Sequence, residues 1–188
     1  LAVGEELIYE NLQGAVTMEK FSQPIHEKVL NLMRTYMFVG GMPEVVKSWF
    51  NEKDVKKVKA IQKEILISYQ HDFSKYSSNE QAIKTSELWN SIPTQLAKEN
   101  KKFQYSAISK GSRASFWEST IEWLKNVGLI YLAYNVTKPE LPLSGYCDRT
   151  KFKVYFVDTG LLGAMLDLRS EVLIYPNELF LKYNGAFT

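Results

Sequence analysis

The chain has little of what most catalytic and scaffolding chemistries need. A single cysteine, Cys147, excludes an internal disulfide and fits a reducing compartment. The two histidines, His26 and His71, fall on separate predicted helices, so no Cys or His spacing for a structural metal exists and no cofactor is expected. No Gly-x-x-x-x-Gly-Lys-Ser/Thr run occurs, which removes the backbone cradle and the lysine that hold a triphosphate. No apolar run approaches membrane length, and Leu1-Ala2-Val3-Gly4-Glu5-Glu6 lacks a basic region followed by a hydrophobic one, so a soluble, cytoplasmic chain without a membrane partner is expected. Strong charge is lacking too. With 23 Lys and Arg against 21 Asp and Glu, the net charge of +2 does not define a polyanion partner, and binding depends on where the basic residues cluster. Internal repeats and low-complexity segments are absent. What is there is a folding composition: 188 residues, 45% hydrophobic and 23% charged, suffice to bury one sizeable core or two small ones.

The stretch 106–157 organises the rest. Trp117, Ile121, Leu124 and Val127 recur on one helical face, while Arg113, Ser115, Ser119, Glu122 and Lys125 lie largely off it. Ser112 is a natural N-cap for this helix, and Gly128 supplies a left-handed stop that lets the chain turn into the strand beginning Leu129-Ile130-Tyr131. A loop punctuated by Pro and Gly runs from Thr137 to Lys151, and Phe152 to Val157 returns as a second strand. Helix, Gly, strand, loop, strand is the order of a winged helix, although amphipathic helices followed by hairpins occur in other folds as well. The upstream helix Thr85 to Ala97 supplies the first member of a three-helix core.

Upstream of that lie three further helices. Residues 1–23 are weakly patterned, with Gly4 and Gly14 breaking any long helix. Ser22-Gln23-Pro24 starts a helix that carries Ile25, Val29, Leu32 and Tyr36 at helical spacing and ends at Gly40-Gly41. Met42-Pro43-Glu44 opens the next, sending Val45, Val46, Trp49 and Phe50 into a core. Asp54 to Tyr76 forms the third, with Val58, Ile61, Ile65 and Tyr69 on one side and Lys56, Lys59 and Lys63 as a solvated stripe on another. After the second strand, Asp158 or Thr159 caps a helix from Leu161 to Leu168, and Pro176-Asn177 opens a last helix from Glu178 to Tyr183.

Candidate chemistry is thin. His71-Asp72 is the nearest approach to a catalytic pair, but adjacent residues on a helix point in different directions and do not form a relay. Asp158 at a strand end suggests a metal carboxylate, yet no second carboxylate lies near it in the sequence and helix capping explains it better. The run Gly40-Gly41-Met42-Pro43-Glu44 is most simply a helix stop fused to a helix start.

Three runs carry a family resemblance: Tyr36-Met37-Phe38-Val39-Gly40-Gly41-Met42-Pro43-Glu44-Val45-Val46, then Ile65 to Tyr76, and Phe152-Lys153-Val154-Tyr155-Phe156-Val157-Asp158-Thr159-Gly160-Leu161-Leu162. With Lys110-Gly111-Ser112-Arg113 and Glu122 to Ile130, in this order and spacing, the chain resembles the C-terminal domain of unknown function attached to bacterial and archaeal AAA-type ATPases. The resemblance implies an ATPase module before this region and, commonly, a restriction-endonuclease-like segment after it. The stretch Leu1 to Glu6 then resembles the exit from the ATPase core, and Tyr183 to Thr188 the entrance to the nuclease-like segment.

The expected fold class is mostly α, of α+β type: a helical region over 1–78, a winged helix with a two-stranded wing over 79–158, and the start of a truncated C-terminal segment over 159–188. The chain itself is expected not to be an enzyme, since the phosphate loop is missing. The leading function is nucleic-acid binding, with double-stranded DNA as partner, by a regulatory or targeting region of an ATPase acting in cis. The alternative is a protein-interaction module that uses the same fold. Arg113 at the start of the reading helix and Lys138, Arg149, Lys151 and Lys153 around the wing are the candidate contacts, and Glu118 and Glu122 stand against strong binding. Leu179, Phe180, Tyr183 and Phe187 can form one apolar stripe, for which self-association is an expected outcome.

Overall fold

Proline and glycine set the ends of the first helices. The computed structural model describes residues 8–10, 13, 22–75, 77–98 and 102–169. Helix α1 (Gln23–Val39) has Pro24 in its first turn and stops at Gly40, where φ is 75°, a value that favours glycine. Helix α2 (Pro43–Glu52) begins on Pro43 with Glu44 in its first turn, where a carboxylate suits the positive helix end. Helix α3 (Val55–Lys75) follows Asp54, whose carboxylate accepts the Lys56 amide at 2.8 Å. Helix α4 (Asn79–Leu96) is capped by the Ser78 hydroxyl, which accepts from the Gln81 amide.

The elements expected to form a winged helix lie in the second half, with a 3₁₀ turn in place of a middle helix. After α4 come a single 3₁₀ turn (Tyr105–Ala107), helix α5 (Ala114–Asn126), strand β1 (Ile130–Val136), a second 3₁₀ turn (Leu143–Tyr146) and strand β2 (Cys147–Phe156). The strands pair antiparallel, with Ile130 opposite Phe156 and Tyr134 opposite Phe152; the register then shifts so that Asn135 faces Asp148. Residues 149–151 therefore form a bulge. The Phe103 amide donates to the Phe152 carbonyl at 2.9 Å, tying the segment before the first 3₁₀ turn to β2. Helix α6 (Thr159–Met165) ends the described elements, and the architecture is mostly helical with one small antiparallel sheet.

One hydrophobic core joins these pieces, and Trp89 is its centre. Its ring is 0% exposed, lies 4.2 Å from that of Phe156 on β2, and meets Tyr69 and Phe73 of α3 edge-on at 6.3 and 5.7 Å. Edge-to-face geometry places the positive ring edge on the negative face and adds roughly 0.5–1.5 kcal/mol per pair to the burial itself. The first half of the chain thus packs its aromatics into the base of the winged helix.

Two glycine runs and one aspartate fasten the halves further. Asp158 is only 6% exposed; its Oδ1 accepts the Leu161 amide at 2.8 Å, capping α6, and its Oδ2 accepts the Gly41 amide at 2.6 Å. A Cβ on Gly40 would overlap this carboxylate, and one on Gly160 would lie 2.5 Å from the Val39 carbonyl oxygen. The Gln62 side-chain amide, from α3, donates to the Phe38 and Val39 carbonyls at 2.9 and 3.2 Å, serving groups that the end of α1 leaves without helical partners. Lys59 Nζ donates to the Leu168 carbonyl at 2.7 Å. The Gly-Gly-Met-Pro-Glu and Val-Asp-Thr-Gly runs are therefore two sides of one junction.

Several expectations differ in detail. Tyr36 is 56% exposed because the end of α1 buries Met37, Phe38 and Val39 instead, under α6. Val127 is 48% exposed, since it sits at the C-cap of α5 where the chain is already turning at Gly128. Ser112 lies one residue too early to cap α5; its amide closes a turn onto Ser109, and Arg113 holds the N-cap position without a side-chain bond. Helix α4 begins earlier than Thr85, β2 begins earlier than Phe152, and α6 ends earlier than Leu168. Lys59 is not a solvated stripe member, as its bond to Leu168 shows. The last predicted helix and its Leu179, Phe180, Tyr183 and Phe187 stripe lie outside the described residues.

Candidate nucleic-acid interface

Alternation along the hairpin sorts the basic residues. Ile130, Leu132, Val154 and Phe156 turn toward the core, which leaves Tyr131, Ala133 and Lys153 on the outward face; Tyr155 shares that side by alternation but is half-buried and packs against the core. Lys151 and Lys153 line one shallow depression of about 530 Å³ together with Lys102, Asn135 and residues of both strands. Arg149 is exposed in the bulge. Lys151 is not a free cation: its Nζ lies 3.1 Å from Asp148 Oδ2. Asp148 also accepts the Thr150 hydroxyl at 2.6 Å and the Thr150 amide at 3.0 Å, and these bonds, the hydroxyl first, hold its carboxyl at a pKa of about 2. Lys138 sits further out on the wing, its Nζ 6.0 Å from the centre of the Tyr146 ring. The Tyr146 hydroxyl bonds Glu140, which together with burial raises its pKa.

Arg113 belongs to a second depression. It starts α5, and with Ser109, Lys110, Gly111, Ser112 and Ser115 it borders an open hollow of about 620 Å³. With no side-chain cap from Arg113, the first amides of α5 are left without that acceptor. Further along the helix the charge reverses. Lys125 is bound to Glu122 at 3.1 Å, and Glu118 lies close enough to Tyr105 that its charge, after burial, helps raise the tyrosine's pKa. The structure brings Lys151 and Lys153 together but gives Arg113 a different hollow. Lys102 and Lys110 line these hollows as well; the signal for Lys102 was its place just before Phe103, whose pairing with β2 carries it to the sheet.

His71 and Asp72 are both exposed on α3, and their neighbour Phe73, not either of them, enters the core. Among the described residues no three His, Cys, Asp or Glu side chains are grouped to hold a metal ion, and no helix is long and apolar enough to cross a membrane. A family model described as a domain of unknown function, DUF8612, matches residues 30–172. The chain belongs to this family. The matched span of the DUF8612 domain takes in both sides of the Gly41–Asp158 junction, α5, and both strands of the wing. No curated protein and no solved structure matches the chain.

Proposed function

We propose that this chain is a nucleic-acid-binding region that holds phosphate backbone weakly and without sequence preference, serving as the regulatory or targeting part of an AAA-type ATPase. The observation that carries the reading is a winged-helix arrangement whose exposed cations gather at the start of α5 and on the wing hairpin, at Arg113, Lys138, Arg149, Lys151 and Lys153. The open amides at the head of α5 suit a phosphate, and the wing cations suit the flanking backbone. Glu118 and the Glu122–Lys125 pair occupy the exposed side of α5, which repels phosphate and leaves little to read base edges. Backbone contact without base readout follows. The link to an ATPase rests on the resemblance of the three sequence runs.

Fluorescence anisotropy with a labelled duplex across a salt series tests the reading. Dissociation constants on the order of 1–100 micromolar at low salt, weakening steeply as salt rises, are expected. Replacing Arg149, Lys151 and Lys153 by Ala should weaken binding and flatten the salt slope by about one unit per lost contact. A wild-type chain that ignores duplex at low salt would overturn it. A second reading, a protein-interaction module, draws support from Ile83 and Phe116, large apolar side chains exposed on α4 and α5. That reading expects no change with salt or with the triple variant. On either reading the chain should not bind Mg-ATP, and calorimetric titration checks this; micromolar binding would contradict it.

A further inference from the structure

The outward face of the hairpin pairs aromatic rings with lysines. Tyr131 is 59% exposed and stands directly opposite Tyr155, which is half-buried against the core and offers only part of its ring to the outward side. The next outward pair is Ala133 with Lys153, and the small alanine leaves the floor of the face open between the tyrosines and Asn135. Lys102, Lys151, Lys153 and Tyr155 border the adjoining hollow, and among the described residues no carboxylate lines it; Asp148 beside it is already engaged by Thr150 and Lys151. A cross-strand aromatic pair supports a sheet by only about 0.2–1 kcal/mol, little return for leaving a large ring in water. One exposed ring beside a half-buried one, flanked by cations, complements a ligand that is anionic and also offers aromatic faces of its own.

Phosphate alone does not need the tyrosines, and a closed duplex cannot use them, because its bases are stacked on one another. Unpaired bases can stack on such rings whatever their identity. We propose that the outward face of β1 and β2 binds an unpaired strand of nucleic acid, its bases stacked on Tyr131 and Tyr155 and its phosphates held by Lys151 and Lys153. This rests on the nucleic-acid reading above and names the form of the ligand. The favoured target is then a duplex with a single-stranded extension, with Arg113, Lys138 and Arg149 on the paired part, the tyrosine face on the tail, and Lys151 and Lys153 at the junction between them.

The test compares a blunt duplex with the same duplex carrying an oligothymidine tail, by anisotropy with the full chain. The tail should tighten binding about tenfold or more, given the contribution of a stacked base. In the Tyr131→Leu, Tyr155→Leu variant that gain should vanish while blunt-duplex binding persists, which also reports that the variant is folded. The Tyr131→Phe, Tyr155→Phe variant keeps the rings and should keep the gain. A wild-type chain indifferent to the tail overturns the stacking proposal, as does a Leu variant that retains the preference. If the blunt duplex is bound and the tail adds nothing, the stacking proposal falls and the nucleic-acid reading stands; if neither is bound, both fall.

Discussion

Asp158 is the residue whose role is plainest in the structure and least accessible from the sequence. Its capping of α6 follows from the local order Asp-Thr-Gly-Leu and was legible. Its second bond, to the Gly41 amide across 117 residues of chain, was not, because nothing in either run says that the two meet. That contact also explains a glycine. At Gly40 a left-handed φ and the carboxylate's proximity both exclude a side chain, whereas the sequence had offered only the helix stop. Gly40→Ala should therefore cost at least about 3 kcal/mol, strain and overlap together. Asp158→Ala removes a buried acceptor of two amide bonds and should cost about 2–4 kcal/mol, Asp158→Asn less, since the amide keeps one acceptor oxygen. Urea unfolding checks all three; a Gly40→Ala midpoint equal to wild type would mean the junction does not form as described.

Among the elements, the helices were largely legible because their ends are written in local chemistry. Ser22-Gln23-Pro24 and Pro43 mark starts, and Gly40 and Gly128 mark stops, wherever the rest of the chain lies, whereas the start of α4 was read late, at Thr85, although Ser78 caps it. Which row of a helix goes inward was less legible, since that depends on the partner: α3 buries Gln62, Leu66 and Phe73 more deeply than Ile61 and Ile65. The wing was read too short at its second strand for a related reason. Asp148-Arg149-Thr150 reads as loop, yet Asp148 accepts two bonds from Thr150 and one from Lys151, and so holds a bulge inside β2. Because its carboxyl is depressed from 3.8 to about 2, the ordering it provides is fully present above pH about 4 and is lost as pH falls through about 2. The Thr150 amide resonance should follow that titration with a midpoint near 2. Replacing Thr150 by Val removes the largest single cause and should raise the midpoint, and Lys151→Ala, which removes a hydrogen bond and a positive charge, should raise it as well. A wild-type midpoint at 3.8 would show that the bulge bonds are not made in solution.

At the scale of the whole molecule, the basic residues were visible in the sequence but their grouping was not. Lys151 and Lys153 share a hollow through strand alternation, while Arg113 reaches a different one through the turn before α5. The dependence of one half on the other was equally hidden, because nothing in the order of residues says what packs on Trp89. In the folded chain Trp89 is covered by Tyr69 and Phe73 from one side and Phe156 from the other, while Gln62, Gly41 and Asp158 fasten the same two halves by hydrogen bonds. Separating them would expose these rings and leave the buried acceptors of the junction without donors, each loss of that kind costing about 1–3 kcal/mol. A chain whose total stability is of order 5–15 kcal/mol does not survive that division as two folded pieces. Residues of the first helices and of the winged helix should accordingly unfold together. Fluorine-labelled tryptophan separates the probes, with Trp49 reporting on α2 and Trp117 on α5. Both resonances should lose their native intensity at one urea concentration, and Phe73→Ala, which strips a ring from the shared core, should shift both midpoints downward by the same amount. Two separate midpoints, or a Phe73→Ala effect confined to Trp49, would mean that the winged helix stands without the helices packed beneath it.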